Sequence, residues 1–183
     1  MLKAFLNTVL LISILIASYY VYKSIRIPPS FDIAVVQVIH APPSTVFKLL
    51  NDSSMWEAWI PWKDADPTYR MQFDGPPSGV GSHMFWKSKR RGRGEIAWQT
   101  AEPPLTCSWS VSVDDFGGSW TFRFDILPDD VDDKQVKLTW HVLGKRVPME
   151  KPFWFIFDLE SILRQDMKSG LKKITSLAEA GAN

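Results

Sequence analysis

Three histidines are the residues of this chain best suited to acid–base chemistry or to binding a metal, and they lie far apart. They are His40, His83 and His141. None belongs to an H-E-x-x-H pair or to another closely spaced ligand set. The single cysteine, Cys107, cannot complete a cysteine-rich zinc site. The sequence therefore predicts no metal centre and no cofactor.

His83 and Glu95 are the candidates for general acid–base catalysis. A histidine that points into a cavity beside a carboxylate can act as a general base. The more ordinary role for such a histidine is a structural hydrogen bond. No G-x-S-x-G nucleophile motif occurs. The catalytic residues, if there are any, stay unassigned.

Aromatic side chains are the best candidates for a binding surface. The chain has nine tryptophans and eleven phenylalanines, many of them on alternating apolar positions of predicted strands. Ligand pockets are mostly apolar with a few polar groups, so a large aromatic set on one face predicts a cavity wall. The alternative is that these rings fill an ordinary core. The predicted ligand-binding residues are Trp59, Trp62, Trp86, Trp98, Trp109, Phe122, Trp140 and Met167.

The elements that would position these rings form a pattern of strands followed by one long helix. An apolar, β-branched run predicts a first strand over residues 31–39, and two short helical stretches follow it. About six strands with period-two alternation come next, which predicts an antiparallel sheet with one covered face. A long amphipathic helix beginning near Pro152 is the available cover. The space between sheet and helix is the expected ligand cavity.

The amino-terminal segment predicts a membrane anchor. Residues 4–22 carry no charge and are bounded by Lys3 and Lys23, which is nearly long enough to cross the roughly 30 Å hydrocarbon core. A cleaved signal peptide is the alternative, although small residues are missing at the −3 position of the candidate cleavage sites. The cations at the two ends balance, so the side of the membrane stays open.

Several short sequence motifs, taken together, resemble those of the START-like helix-grip superfamily, in its bacterial polyketide cyclase/dehydrase-related branch. They include Ile39–Phe47, Trp59-Ile60-Pro61-Trp62, Phe85–Ser88, Gly92–Glu95, Leu138-Thr139-Trp140 and Gly170–Lys173. The resemblance implies an α+β fold in which a curved antiparallel sheet wraps around a long carboxy-terminal helix. It also implies binding of a hydrophobic small molecule, and a single-pass protein of a bacterial-type inner membrane. It carries over no catalytic residue.

Two loops have compositions that suggest a role of their own. The glycine-rich segment Gly75–Gly81 suits a tight turn, and a gating role for it is a hypothesis. The hairpin from Lys87 to Arg93 holds five cations and no acidic residue. It is either a solvated loop or a contact with anionic lipid headgroups.

The domain organisation and the function follow from these features. We expect an anchor over residues 1–26, a proline-rich linker over 27–30 and one helix-grip domain over 31–180. The net charge of +1 argues against nucleic acid as a partner. The leading hypothesis is membrane-anchored binding of a hydrophobic small molecule or lipid. The alternatives are a cyclase or dehydratase using acid–base catalysis in the same cavity, and an interaction domain whose cavity has collapsed.

Overall fold

The structure, a computed structural model, describes residues 1–114, 118–130, 134–146 and 151–181. The helices are α1 (Leu2–Arg26), α2 (Pro43–Asn51), α3 (Trp56–Trp59), α4 (Trp62–Ala65), α5 (Lys151–Ile156) and α6 (Leu159–Gly181). The strands are β1 (Ser30–Ile39), β2 (Arg70–Asp74), β3 (His83–Lys87), β4 (Arg93–Glu102), β5 (Thr106–Val113), β6 (Gly118–Pro128) and β7 (Val136–Lys145).

The seven strands form one antiparallel sheet in the order β1-β7-β6-β5-β4-β3-β2. Consecutive strands from β2 to β7 pair as hairpins, and β1 pairs with the last strand, β7. The buried residues of β4 to β7 alternate with more exposed ones, as an antiparallel sheet with one covered face requires. Together with α6 this is the predicted helix-grip fold, which the structure confirms.

Helix α6 covers the inner face of the sheet and also closes its β1 edge. The guanidinium of Arg164 donates to the carbonyl oxygen of Ala34 at 3.0 Å. Near the other end of the helix, Glu179 Oε1 accepts from the backbone N–H of His40 at 3.0 Å. These bonds satisfy polar groups that an edge strand would otherwise leave exposed. Helix and strand therefore run alongside each other between these two contacts.

The sequence predicts one long carboxy-terminal helix from near Pro152, but this helix is interrupted. It is divided into α5 and α6 by a turn at Phe157 and Asp158, where Asp158 has a φ of 45°. The alternating sequence predicts Leu105 on the apolar face of β5, but Leu105 is exposed and precedes the strand. Of the acidic turn before β7, Asp132 and Asp133 lie outside the described residues.

Gly170 sets the distance between α6 and the sheet. A Cβ atom at this position would lie 2.9 Å from Cζ3 of Trp140 and 3.5 Å from Cδ of Pro61. Trp140 is 1% exposed, so displacing its ring would disturb the close-packed side chains around it. The absence of a side chain at Gly170 thus lets the helix lie directly on the indole ring.

We expect Gly170→Ala to lower the free energy of unfolding by about 1 kcal/mol. Overpacking a filled core costs about 1–3 kcal/mol, which exceeds the gain in helix propensity of up to about 1 kcal/mol. Gly181→Ala is the matched control in the same helix, because nothing lies within 4 Å of its added Cβ. Urea unfolding of the full chain in detergent would measure both. A Gly170→Ala protein as stable as the control would contradict this account.

Candidate functional site

The inner face of the sheet carries a continuous cluster of aromatic rings beneath α6, which we call the indole cluster. It consists of Trp56, Trp59, Trp98, Trp109, Phe122, Phe124 and Trp140, each at most 4% exposed. Ring centroids lie 4.4 Å apart for Trp56 and Trp109, and 4.8 Å apart for Phe124 and Trp140. The rings therefore touch one another across the space in which the sequence predicts a cavity.

Helix α3 brings two members of the cluster onto the sheet, and their polar edges are satisfied. The indole N–H of Trp56 donates to the carbonyl oxygen of Leu50 at 2.8 Å, and that of Trp59 donates to Leu49 at 2.9 Å. Both acceptors are at the end of α2, where the last carbonyl groups of a helix lack intrahelical partners. The two tryptophans thereby join α2, α3 and the sheet.

The three tryptophans that come from the strands differ in this respect. The indole nitrogens of Trp98, Trp109 and Trp140 are buried and have no hydrogen-bond partner among the described residues. Trp98 and Trp109 are direct cross-strand neighbours, with centroids 5.5 Å apart. Leaving a buried donor unpaired costs about 1–3 kcal/mol. A cluster with three such donors can offer hydrogen bonds to an acceptor placed among the rings.

A polar rim lies where α4 and the basic hairpin meet α6. Asp166 accepts from the guanidinium of Arg91 at 2.9 Å and from the indole N–H of Trp62 at 3.1 Å. Beneath it the Trp62 ring lies 6.0 Å from that of Phe122 and 6.2 Å from that of Tyr69. The Tyr69 hydroxyl is buried without a hydrogen-bond partner among the described residues, and burial raises its pKa above the usual range.

Asp66 fixes the basic hairpin next to α4. Its carboxylate, in a residue that is 3% exposed, accepts from the Ser88 hydroxyl at 2.5 Å and from the Thr68 hydroxyl at 2.6 Å. Backbone N–H groups of Thr68 and Arg90 also donate to it. The hydrogen bonds from Ser88, and then from Thr68, hold the pKa of Asp66 well below its usual range. The position of Arg91 at the rim depends on this arrangement.

The histidines lie outside this region. His83 Nδ1 and Glu95 Oε1 are 2.5 Å apart, so the two candidate acid–base residues do meet. Their neighbours along the strands, Met84 and Ile96, are fully buried. The pair is therefore on the outer face of the sheet, away from the indole cluster. His141 also lies on the outer face, and its Nδ1 is 2.9 Å from Asp32.

The glycine-rich segment Gly75–Gly81 forms a turn that is fixed by hydrogen bonds from neighbouring serine side chains. Gly75, Gly79 and Gly81 have φ values of 82°, 78° and 93°, which confirms that the turn needs glycine there. The hydroxyl of Ser53 donates to Pro77 at 2.9 Å and that of Ser82 donates to Pro76 at 2.6 Å. The gating hypothesis stays a prediction.

The structure places the predicted ligand-binding residues in two groups. Trp59, Trp98, Trp109, Phe122 and Trp140 belong to the indole cluster, and Met167 of α6 is 1% exposed within the same core. Trp62 lies at the rim. Trp86 lies at the hairpin, with its indole N–H donating to Arg91 and its ring against Gly94. The assignment of these residues to a ligand stays a prediction.

Sequence reasoning missed Trp56, Tyr69 and Asp166. Trp56 contacts three other tryptophans of the cluster, and its spacing of three residues from Trp59 was the available signal. Tyr69 and Asp166 offer no such signal, because their roles depend on contacts between distant segments. Among the described residues, no group of three or more histidine, cysteine or acidic side chains could hold a metal ion.

Helix α1 is long and apolar enough over Leu2–Lys23 to cross a membrane, and that segment is not buried inside the protein. Such a helix is also compatible with a signal sequence. A shallow, open groove runs along one side of it, lined by Ile14, Ala17, Ser18, Val21, Tyr22 and Ile25. This groove is separate from the space between the sheet and α6.

We expect Asp166→Asn to lower the free energy of unfolding by about 1–2 kcal/mol, because it removes a partly buried ion pair and leaves the charge of Arg91 uncompensated. Asp64→Asn is the matched control, since it breaks a pair with Lys173 in which Asp64 is 69% exposed. That change should cost no more than about 0.5 kcal/mol. Urea unfolding compares the two, and equal losses would contradict a special role for the rim.

The hydrogen bonds to Asp66 predict a loss of stability in acid. A carboxyl whose pKa is lower in the folded than in the unfolded protein stabilises the fold fully above the unfolded value of about 3.9. This contribution disappears as the pH falls through the lower, folded pKa. In Asp66→Asn, the free energy of unfolding should therefore fall less steeply below about pH 4.

The Ser88→Ala variant tests the cause of this shift, because it removes the hydroxyl that lowers the pKa of Asp66 most. It should show a shallower acid dependence than the wild type. Ser169→Ala, on an exposed position of α6, is the control and should follow the wild type. Identical pH profiles for Asp66→Asn and the wild type would show that Asp66 titrates alike in both states.

Comparison with known proteins identifies the fold. No protein-family model matches the chain, and no curated protein matches it in sequence. Solved structures do match: CV1439 from Chromobacterium violaceum, at 16% identity and a TM-score of 0.58, aligns over 83% of this chain and 99% of its own. KanY, at 14% identity and a TM-score of 0.62, aligns over 82% and 98%. DynU16, from the dynemicin biosynthetic locus, aligns at 13% identity and a TM-score of 0.57 over 82% of this chain and 48% of its own. This chain therefore shares the helix-grip fold of these proteins.

Proposed function

We propose that this protein is a membrane-anchored binding protein for a small, largely apolar molecule that carries hydrogen-bond acceptors. The ligand would lie between the sheet and α6, among the rings of the indole cluster. Helix α1 would hold the domain at the membrane, where such molecules concentrate. The aromatic walls account for an apolar ligand, since pockets of this kind are mostly apolar with few polar groups.

The observation that carries this proposal is the set of unpartnered indole N–H groups on the sheet: those of Trp98, Trp109 and Trp140 within the indole cluster, and that of Trp120 beside it. Buried donors are nearly always paired in folded proteins. Three exceptions within one cluster, with a fourth at Trp120 on the same face of the sheet, call for an explanation other than packing. A carbonyl, ether or hydroxyl oxygen of a ligand would accept from them. The Tyr69 hydroxyl provides a further group of the same kind near the rim.

Binding in this place requires the rings to move apart. The centroids of neighbouring rings in the cluster are 4.4–6.4 Å apart, so an apolar ligand has to separate some of them. Such a movement changes the environment of several tryptophans together. Intrinsic fluorescence of the protein is therefore a direct signal for occupancy.

A second candidate function is favoured by the same ring contacts. A domain whose interior is filled by its own side chains would act through its surface, as a membrane-tethered interaction domain. In that case the unpartnered donors would be no more than a cost of the packing. The two functions differ in whether apolar molecules bind inside the domain.

A cyclase or dehydratase has less support from the geometry. Such an enzyme needs two or more titratable groups that converge on the substrate. His83 and Glu95 meet on the outer face of the sheet, and Asp166 at the rim is already engaged by Arg91 and Trp62. DynU16 is described as a protein of the dynemicin biosynthetic locus, but its likeness to this chain concerns the fold.

The test is to purify the full chain in mild detergent and to analyse it by native mass spectrometry with organic extraction. We expect a reproducible apolar molecule to co-purify. Fatty acids, sterol-like compounds and polycyclic compounds should also be titrated while tryptophan fluorescence is recorded. An empty protein that binds none of them would contradict the proposal and favour the interaction domain.

Matched tryptophan variants test the role of the unpartnered donors. Trp109→Phe keeps a ring and removes a donor, so it should weaken binding of acceptor-carrying ligands about five- to tenfold, as expected for loss of one hydrogen bond. Analogues without the acceptor should bind as before. Trp56→Phe is the control, because the Trp56 donor is already bonded to Leu50. It should reduce stability without changing this selectivity.

A further inference from the structure

The end of the sheet at which β1 begins, which we call the anchor end, is also the end nearest to α1. Three residues, 27–29, separate the end of α1 at Arg26 from the start of β1 at Ser30. Even fully extended, they span only about 10 Å. If α1 crosses a bilayer, as the proposed function assumes, the anchor end must lie close to the membrane surface.

The connection between α1 and the domain is fixed by a clamp of hydrogen bonds. The guanidinium of Arg146 donates to the carbonyl oxygens of Pro28 at 3.2 Å and Ser30 at 3.1 Å. The ammonium of Lys151, at the start of α5, donates to the Ile27 carbonyl at 2.9 Å. The guanidinium of Arg146 also lies over the Trp154 ring of α5, 4.5 Å from its centroid. Helix α5 is thus held beside the exit of α1.

Helix α6 begins at the anchor end and runs away from it. Arg164, near its start, bonds to Ala34 of β1, whereas Glu179, near its end, bonds to His40 beyond the other end of that strand. The junction of α5 and α6 therefore lies at the anchor end. Its apolar side chains are exposed: Ile156 is 52% exposed and Phe157 is 58% exposed.

The basic hairpin lies at the same end of the sheet. Strand pairing aligns Ser30 of β1 with Lys145 of β7, and Val113 of β5 with Gly118 of β6 and Gly94 of β4. Arg91 and Arg93 of the hairpin are engaged by Asp166 and Asp114. Lys87 and Lys89 are exposed at the same end. Exposed cations there are attracted to anionic lipid headgroups. Each basic residue near the membrane surface contributes about 1 kcal/mol of binding free energy.

We propose that the anchor end is a docking surface for the lipid bilayer, with Ile156 and Phe157 inserted into its interfacial layer. The apolar junction, the exposed lysines and the clamped linker all meet at this end. The domain is then held in one orientation on the membrane instead of swinging on a flexible tether. This inference rests on the proposed membrane anchoring by α1, but not on the proposed ligand.

The test is site-specific labelling of introduced cysteines. The native Cys107 is fully buried, and burial raises the pKa of its thiol. The wild type should therefore take up no thiol-reactive label. An environment-sensitive fluorophore is attached to Phe157→Cys in the full chain, in nanodiscs of phosphatidylcholine and phosphatidylglycerol. Leu127→Cys is the matched control, since Leu127 is an exposed apolar residue at the other end of the sheet. Ala17→Cys reports insertion of α1.

We expect nitroxide-bearing lipids to quench the labels at positions 157 and 17 strongly and to leave the label at 127 unaffected. A quenched label at 17 with an unquenched label at 157 would overturn the docking surface while the anchor stands. Unquenched labels at both positions would overturn the anchor and the docking surface together. A label at 157 that is shielded from iodide but not quenched by lipid would indicate a protein partner, such as a second copy, and would also overturn the inference.

Discussion

The contact between α6 and Trp140 is the constraint on which the rest of the structure depends. Gly170 leaves no side chain between the helix axis and the indole ring, so α6 lies directly on the sheet. At that distance, the space between α6 and the sheet is deep enough for one layer of aromatic rings. Trp59 and Phe124 pack against Trp140 within that layer. The close approach thereby turns a sheet that could enclose a cavity into one filled by touching aromatic rings.

Within this single layer, the hydrogen bonding of each indole N–H group depends on which element carries the ring. Trp56 and Trp59 enter from α3, where the free carbonyl groups at the end of α2 accept their N–H groups. Trp98, Trp109 and Trp140 enter from strands whose backbone groups are already paired with neighbouring strands, and their N–H groups have no partner among the described residues. The origin of each ring therefore decides whether its donor is satisfied. The two helix-borne tryptophans thus fasten α3 to α2, whereas the strand-borne indole N–H groups stay unpaired.

The sequence predicted the strands well because alternation reports a half-buried sheet directly, as at Trp120, Phe122 and Phe124 in β6. It did not predict the break at Asp158, because the apolar spacing continues through both helices. It also left the face of His83 undetermined, since a five-residue strand alternates too briefly. The pairing of Arg91 with Asp166 joins residues 75 positions apart. No local pattern contains that information, so the sequence alone could not place the basic hairpin against α6.

The basic hairpin links the anchor end of the sheet to the rim of the indole cluster. Its position in the sheet is at the anchor end, whereas Arg91 reaches Asp166 on α6 and closes the rim over the indole cluster. Asp66 holds that conformation through Ser88. If the anchor end docks on a bilayer as proposed, the rim lies toward the membrane. A ligand of the proposed kind would then have its shortest path between the membrane and the indole cluster past Arg91 and Asp166, without crossing bulk water.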